Sequence, residues 1–75
     1  MSILDLAQGD EAIIQKITAN SELKQRLYSF GLNKDAKITI DHFGARKSTV
    51  KITIDRSCIA LRHDEAAQIL VEKVG

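Results

Sequence analysis

Between Ala36 and Asp55 the chain alternates apolar and polar residues twice over. No other feature restricts its fold as much. Ala36, Ile38 and Ile40 fall on one side and Lys37, Thr39 and Asp41 on the other. The pattern breaks at His42–Ser48, then resumes with Val50, Ile52 and Ile54 against Thr49, Lys51, Thr53 and Asp55. A period of two places successive side chains on opposite faces of a strand. Two such runs around a short loop containing Gly44 predict an antiparallel hairpin with one greasy face.

Such a face must be covered, and the flanking sequence supplies the cover. Glu11–Ile17 reads as a strand, with Ile13, Ile14 and Ile17 placing apolar residues on both faces. It follows a lead-in with Leu4 and Leu6 and a turn at Gln8-Gly9-Asp10. Asn20 or Ser21 can cap a helix, with Glu22 in its first turn and Leu23, Leu27 and Phe30 as its apolar stripe. Gly31 can end that helix in the left-handed conformation. Beyond the hairpin come a tight turn at Asp55-Arg56-Ser57, a strand from Cys58 to Leu61 and a helical turn Asp64–Ala67 with Asp64 as its cap. A last strand runs from Ile69 to Val74. The result is mainly β with one short α-helix. Five short antiparallel strands in so small a chain should curl into a barrel, because closure removes exposed edges.

Size bounds what such a barrel can do. The 75 residues form one domain, residues 1–75, with a thin core and little apolar surface left for a deep substrate cavity. Cys58 is the only cysteine, so no internal disulfide staples the fold, and a reducing compartment is expected. The apolar runs fall far short of the roughly 20 residues that span a bilayer, and the N-terminus lacks the pattern of a signal peptide. A cytoplasmic location with no membrane insertion is therefore expected. Net charge is +1, with no overall bias toward a polyanion. The charges are nonetheless divided. Asp5, Asp10, Glu11 and Glu22 dominate the first 22 residues, whereas Arg46, Lys47, Lys51, Arg56 and Arg62 outnumber Asp55 between residues 44 and 63. On a strand surface such cations also serve simply as solvated charge that discourages edge-to-edge aggregation.

Several short segments, taken together and in order, carry a family resemblance. Arg26-Leu27-Tyr28-Ser29-Phe30-Gly31-Leu32, Ile38-Thr39-Ile40, Ile59-Ala60-Leu61-Arg62, Glu65-Ala66 and Ile69-Leu70-Val71 resemble the ferrous iron transport protein A (FeoA) family, as do Leu6, Gly9, Ile14 and Ile17 at the start. The resemblance implies an SH3-like barrel with an inserted helix, similar to the C-terminal domain of iron- and manganese-responsive repressors. It also implies a cytoplasmic accessory of the membrane iron permease that carries a G-protein domain. Within it, Leu27 reads as the helix's core contact, Ile59 and Leu61 as inward strand residues, and Arg62 and Glu65 as a pair across the last helical turn. Two departures stand out. Lys34-Asp35 occupy a turn where the family often has Pro-Gly, and Lys47-Ser48-Thr49 a loop where it often has Pro.

The candidate chemistry is sparse. His42, Cys58, His63, Asp64 and Glu65 are the available metal ligands, and none forms a close pair of the CxxC or HxxxH kind, so no metal or cofactor site is expected. Ser48, Ser57 and Cys58 lack a neighbouring base, and there is no GxxxxGK phosphate loop, so the chain reads as no enzyme. Protein docking leads. Phe43 is the candidate apolar anchor, or else it caps one end of the barrel; Arg46 and Lys47 are the steering charges. The alternatives are a small nucleic-acid-binding barrel and a stand-alone metal-sensing domain. The first is disfavoured because one aromatic makes a poor stacking platform. Weak self-association through an exposed strand is left open.

Overall fold

The computed structural model describes residues 1–74. Its elements are β1 (Glu11–Ile17), α1 (Ser21–Ser29), β2 (Lys37–Phe43), β3 (Thr49–Ile54), β4 (Ser57–Arg62), α2 (His63–Ala67) and β5 (Ile69–Val74), preceded by a 3-10 turn at Ile3–Asp5. The strands form one antiparallel sheet in the order β4-β3-β2-β1-β5. Its principal extents, 28 × 25 × 23 Å, are nearly equal, as for a sheet curled on itself rather than laid flat.

Two bulges help it curl. In β1 the register against β5 shifts between Ile14 and Lys16, so Gln15 is an extra residue. Ile14 and Ile17, three apart, therefore both point inward, and Ile13 faces outward and is only half buried. The pattern that suggested a strand covered on both faces is instead a one-faced strand with a bulge. The second bulge, in β2, matters more to function and is described below. Inside, Ala12, Ile14, Ile38, Ile40, Val50, Ile52, Ile54, Leu61, Ile69 and Val71 pack with Ile3, Leu6, Leu27 and Leu32 into one cluster.

Helix α1 lies between β1 and β2 and is held at both ends. Asn20 Oδ1 accepts the Leu23 N–H at 2.9 Å. At the other end the Gly31 N–H reaches Tyr28 O at 2.9 Å and the Leu32 N–H reaches Leu27 O at 3.1 Å, with Gly31 at φ +92°. That is a Schellman close, and its apolar contact joins Leu27 to Leu32, both fully buried. The expected stripe is thus narrower than its spacing suggested. Leu27 is buried and Leu23 half buried, but Phe30 sits at the C-cap, 44% exposed. In the turn before β2, Asp35 takes φ +72°, which Asp tolerates better than most side chains.

Helix α2 starts one residue earlier than expected. Its N-terminal cap comes not from Asp64 but from Glu65, whose Oε1 accepts the Arg62 N–H at 3.0 Å. The other oxygen of Glu65 pairs with Arg26 on α1 rather than with the Arg62 guanidinium. Glu65 thereby ties the two helices together.

Candidate docking surface

The β2–β3 hairpin owes its shape to one extra residue. Ile40 pairs with Ile52, but the next pairs are His42 with Lys51 and Phe43 with Val50, so Asp41 bulges out of the ladder. An unbroken alternation would send His42 inward. The bulge reverses this: His42 is exposed and Phe43 turns toward the core beside the buried Val50. The Asp41 carboxylate accepts hydrogen bonds from Thr53 Oγ1 at 2.8 Å and from Cys58 Sγ at 3.2 Å, on the strands alongside. Those two bonds, Thr53 first, hold its carboxyl below the usual aspartate range; Lys51 and His42 add to the effect and partial desolvation opposes it.

Beyond the bulge the chain turns tightly. Gly44 leads in, where a Cβ would run into Thr49 Oγ1. The Gly44 N–H bonds Thr49 O at 2.8 Å, the Lys47 N–H bonds Gly44 O at 2.9 Å and the Ser48 N–H bonds Ala45 O at 3.0 Å. Closing so short a loop forces two successive residues into the left-handed region: Arg46 at φ +55° and Lys47 at φ +58°. Neither is glycine, so each carries a backbone cost of about 1 kcal/mol or more.

The tip is also lashed down. Lys47 Nζ donates to Leu4 O at 2.7 Å and lies 4.6 Å from the centre of the Phe43 ring. The Lys47 carbonyl accepts from His63 Nδ1 at 3.1 Å, which makes Nδ1 the protonated nitrogen of that ring. The His63 N–H bonds Ser48 O at 2.9 Å. The structure therefore joins two of the three candidate docking residues and leaves the third free. Phe43 is half buried against the core beneath Lys47, and the Lys47 ammonium is spent on Leu4 and that ring. Arg46 projects from the tip with no hydrogen bond or ion pair among the described residues.

No group of three or more His, Cys, Asp and Glu side chains gathers to hold a metal ion among the described residues. A depression of about 230 Å³ at the start of α1, lined by Asn20, Glu22, Leu23 and Arg26, is smaller than ordinary ligand pockets of roughly 300–1,000 Å³. No helix among the described residues is long and apolar enough to cross a membrane. Residue patterns missed the Asp41–Thr53–Cys58 contact and the clasp of His63 on the tip. One signal was available: Ile40 and Phe43, three apart in a strand of period two, are the mark of a bulge.

The FeoA domain family model matches residues 1–73. A protein of Campylobacter jejuni named Fe(2+) transport protein A is 38% identical over 74 residues, spanning 99% of this chain and 100% of that one. The solution structure of the FeoA protein of Chlorobium tepidum superposes with a TM-score of 0.93 at 24% identity, over 100% of this chain and 71% of that one. A manganese-dependent transcriptional repressor gives 0.90 at 18% identity, over 97% of this chain and 40% of that one, a likeness of fold alone. The shared architecture is the SH3-like barrel.

Proposed function

The chain belongs to the FeoA family, and on that premise we propose that it is a cytoplasmic, non-catalytic accessory of ferrous iron uptake that docks on the membrane iron permease, the partner that carries a G-protein domain. The observation that carries this reading is the β2–β3 tip. Two adjacent cationic residues, Arg46 and Lys47, are held in a costly backbone conformation, and three hydrogen bonds to Lys47 and Ser48 tie the loop to the rest of the domain. Strain of this kind persists where the surrounding structure enforces it, and it collects at functional surfaces. No cluster of metal-ligating side chains accompanies the tip among the described residues, and what it offers a partner is shape and charge.

The docking residues are Arg46 first, then Lys47, with Phe43 supporting them from beneath as much as making contact. A nucleic-acid reading fits less well. Phe43 is covered by Lys47, and the exposed aromatics Tyr28 and Phe30 belong to α1, so no aromatic platform lies among the hairpin cations.

The test is capture from native membranes with the tagged chain, with and without ferrous iron. The permease should be recovered, and Arg46→Glu should reduce that recovery without altering the fold. Recovery of nucleic-acid material in place of the permease overturns the reading. Equal recovery by Arg46→Glu keeps the partner and rejects the tip.

A further inference from the structure

The two edges of the sheet are treated differently. The β5 edge is covered at Leu70 and Val71 by the chain's own start: the Val71 N–H donates to Met1 O at 2.8 Å and Ser2 bridges Leu70. Nothing among the described residues pairs with the outer edge of β4. Its register with β3 runs without a bulge from Ile54↔Ser57 to Thr49↔Arg62. The strand holds no proline, and Ser57, Cys58 and Ala60 are small, exposed side chains that leave the main chain open.

The main-chain groups available there can be named. Antiparallel pairs alternate between bonded and unbonded, and the two-residue turn closes on Ile54 and Ser57 as a bonded pair. Ser57, Ile59 and Leu61 therefore face β3, and Cys58, Ala60 and Arg62 turn their N–H and C=O groups outward. Two bonds agree with this phase: the Arg62 N–H goes outward to Glu65, and the His63 N–H goes back to Ser48. The amide and carbonyl groups of Cys58 and Ala60 are left as a ready template for an added strand.

Charge selects the occupant. Arg56 and Arg62 bracket the edge, and Lys51 lies opposite Ala60. None of these three has a carboxylate partner among the described residues; the ion pairs join Arg26 to Glu65, Lys37 to Glu11 and Lys73 to Asp10. The nearby acids are Asp55 in the turn, Asp41, whose carboxylate is engaged by Thr53 and Cys58, Glu65, whose carboxylate is engaged by the Arg62 N–H and Arg26, and the exposed Asp64 in the first turn of α2. A second copy fits badly, because two-fold pairing of edge strands is antiparallel. It would set the Arg62 end of one copy against the Arg56 end of the other, at both ends, and like charges directly opposed destabilise a sheet. We propose that the β4 edge, through the main chain of Cys58 and Ala60 flanked by Arg56 and Arg62, accepts an extended acidic segment of a partner protein as an added strand. The natural partner rests on the docking reading above; the edge itself does not.

The probe is a synthetic ten-residue peptide of alternating valine and glutamate, titrated into the nitrogen-15-labelled full chain. The amides of Cys58 and Ala60 should shift most and gain protection from exchange. A peptide with lysine in place of glutamate should bind at least ten-fold more weakly. Ala60→Pro removes an outward N–H and no bond to β3, so it should keep the fold and weaken the acidic peptide at least ten-fold. The double variant Arg56→Glu with Arg62→Glu, both exposed, should do the same if the proline variant fails to fold. Unchanged affinity in either folded variant, equal affinity for the lysine peptide, or no binding at millimolar peptide overturns the proposal. So does concentration-dependent broadening at Cys58 and Ala60 without peptide, which assigns the edge to a second copy. Equal permease recovery by wild type and Ala60→Pro removes β4 from docking and leaves the docking reading intact. Peptide binding at β4 with no permease recovered does the reverse.

Discussion

Replacing Arg46 by glycine should stabilise the domain and weaken its docking at once. Arg46 sits at φ +55°, and its side chain makes no hydrogen bond or ion pair among the described residues. Relief of the left-handed backbone is worth about 1–2 kcal/mol. Glycine gives back about 0.4–1 kcal/mol through its greater freedom in the unfolded chain. A net gain of about 0.5–1 kcal/mol is left. For a domain of this size, unfolding entropy near the midpoint is about 0.16 kcal/mol per kelvin, so Tm should rise by about 3–6 °C. Arg46→Ala is the control: it removes the same guanidinium but keeps the backbone cost, so its stability should stay near wild type. Urea denaturation with unchanged slope would measure both variants. Membrane capture should show both docking less well, because both lose the projecting charge. If glycine and alanine agree within about 0.2 kcal/mol, the tip holds no strain and this reasoning fails. If glycine is more stable and docks as wild type, the strain is real but Arg46 is not what the partner touches.

Two further outcomes follow from named contacts. Gly31→Ala should destabilise by about 1–2 kcal/mol from backbone alone, since a Cβ there meets only Ile54 Cδ1 at an ordinary 3.8 Å while φ is +92°. Gly31→Asn should cost less, and equal losses in the two melting curves would contradict the left-handed cap. Asp41 has a lowered carboxyl pKa in the folded state, so its contribution to stability is present above the usual aspartate value and fades as pH falls through the lowered one. Thr53→Val should raise that pKa toward normal and Cys58→Ala should raise it less, both read from the side-chain carboxyl carbon in an NMR pH titration. The opposite ranking would mean that the Thr53 bond is not the main cause.

Much of this molecule could be read without coordinates, because the physics involved is local. A period of two in Ile38, Ile40, Val50, Ile52 and Ile54 means a one-faced hairpin in almost any surroundings. Asn20 and Gly31 bracket a helix because capping is a matter between near neighbours along the chain. The family resemblance of Arg26–Leu32 and Ile59–Arg62 rested on the same kind of short-range order. The candidate docking residues are legible as types, two cations and an aromatic beside a glycine, but not as an arrangement.

What escaped the residue pattern depends on partners distant in the chain. Three residues of separation on a helical turn pair Glu65 with Arg62, yet its carboxylate bridges to Arg26, thirty-nine residues away, and to a backbone amide. Phe30 followed the helical period and still lies at the surface, because the helix closes at that residue and Leu32 takes the buried position instead. The bulge at Asp41 chose which of His42 and Phe43 faces the core, and the clasp by Leu4 and His63 chose which of two adjacent cations is free. Periodicity names the elements because it needs only the neighbouring residues. Which cation reaches solvent and which strand edge stays open are settled when elements far apart in the chain compete for the same hydrogen bonds.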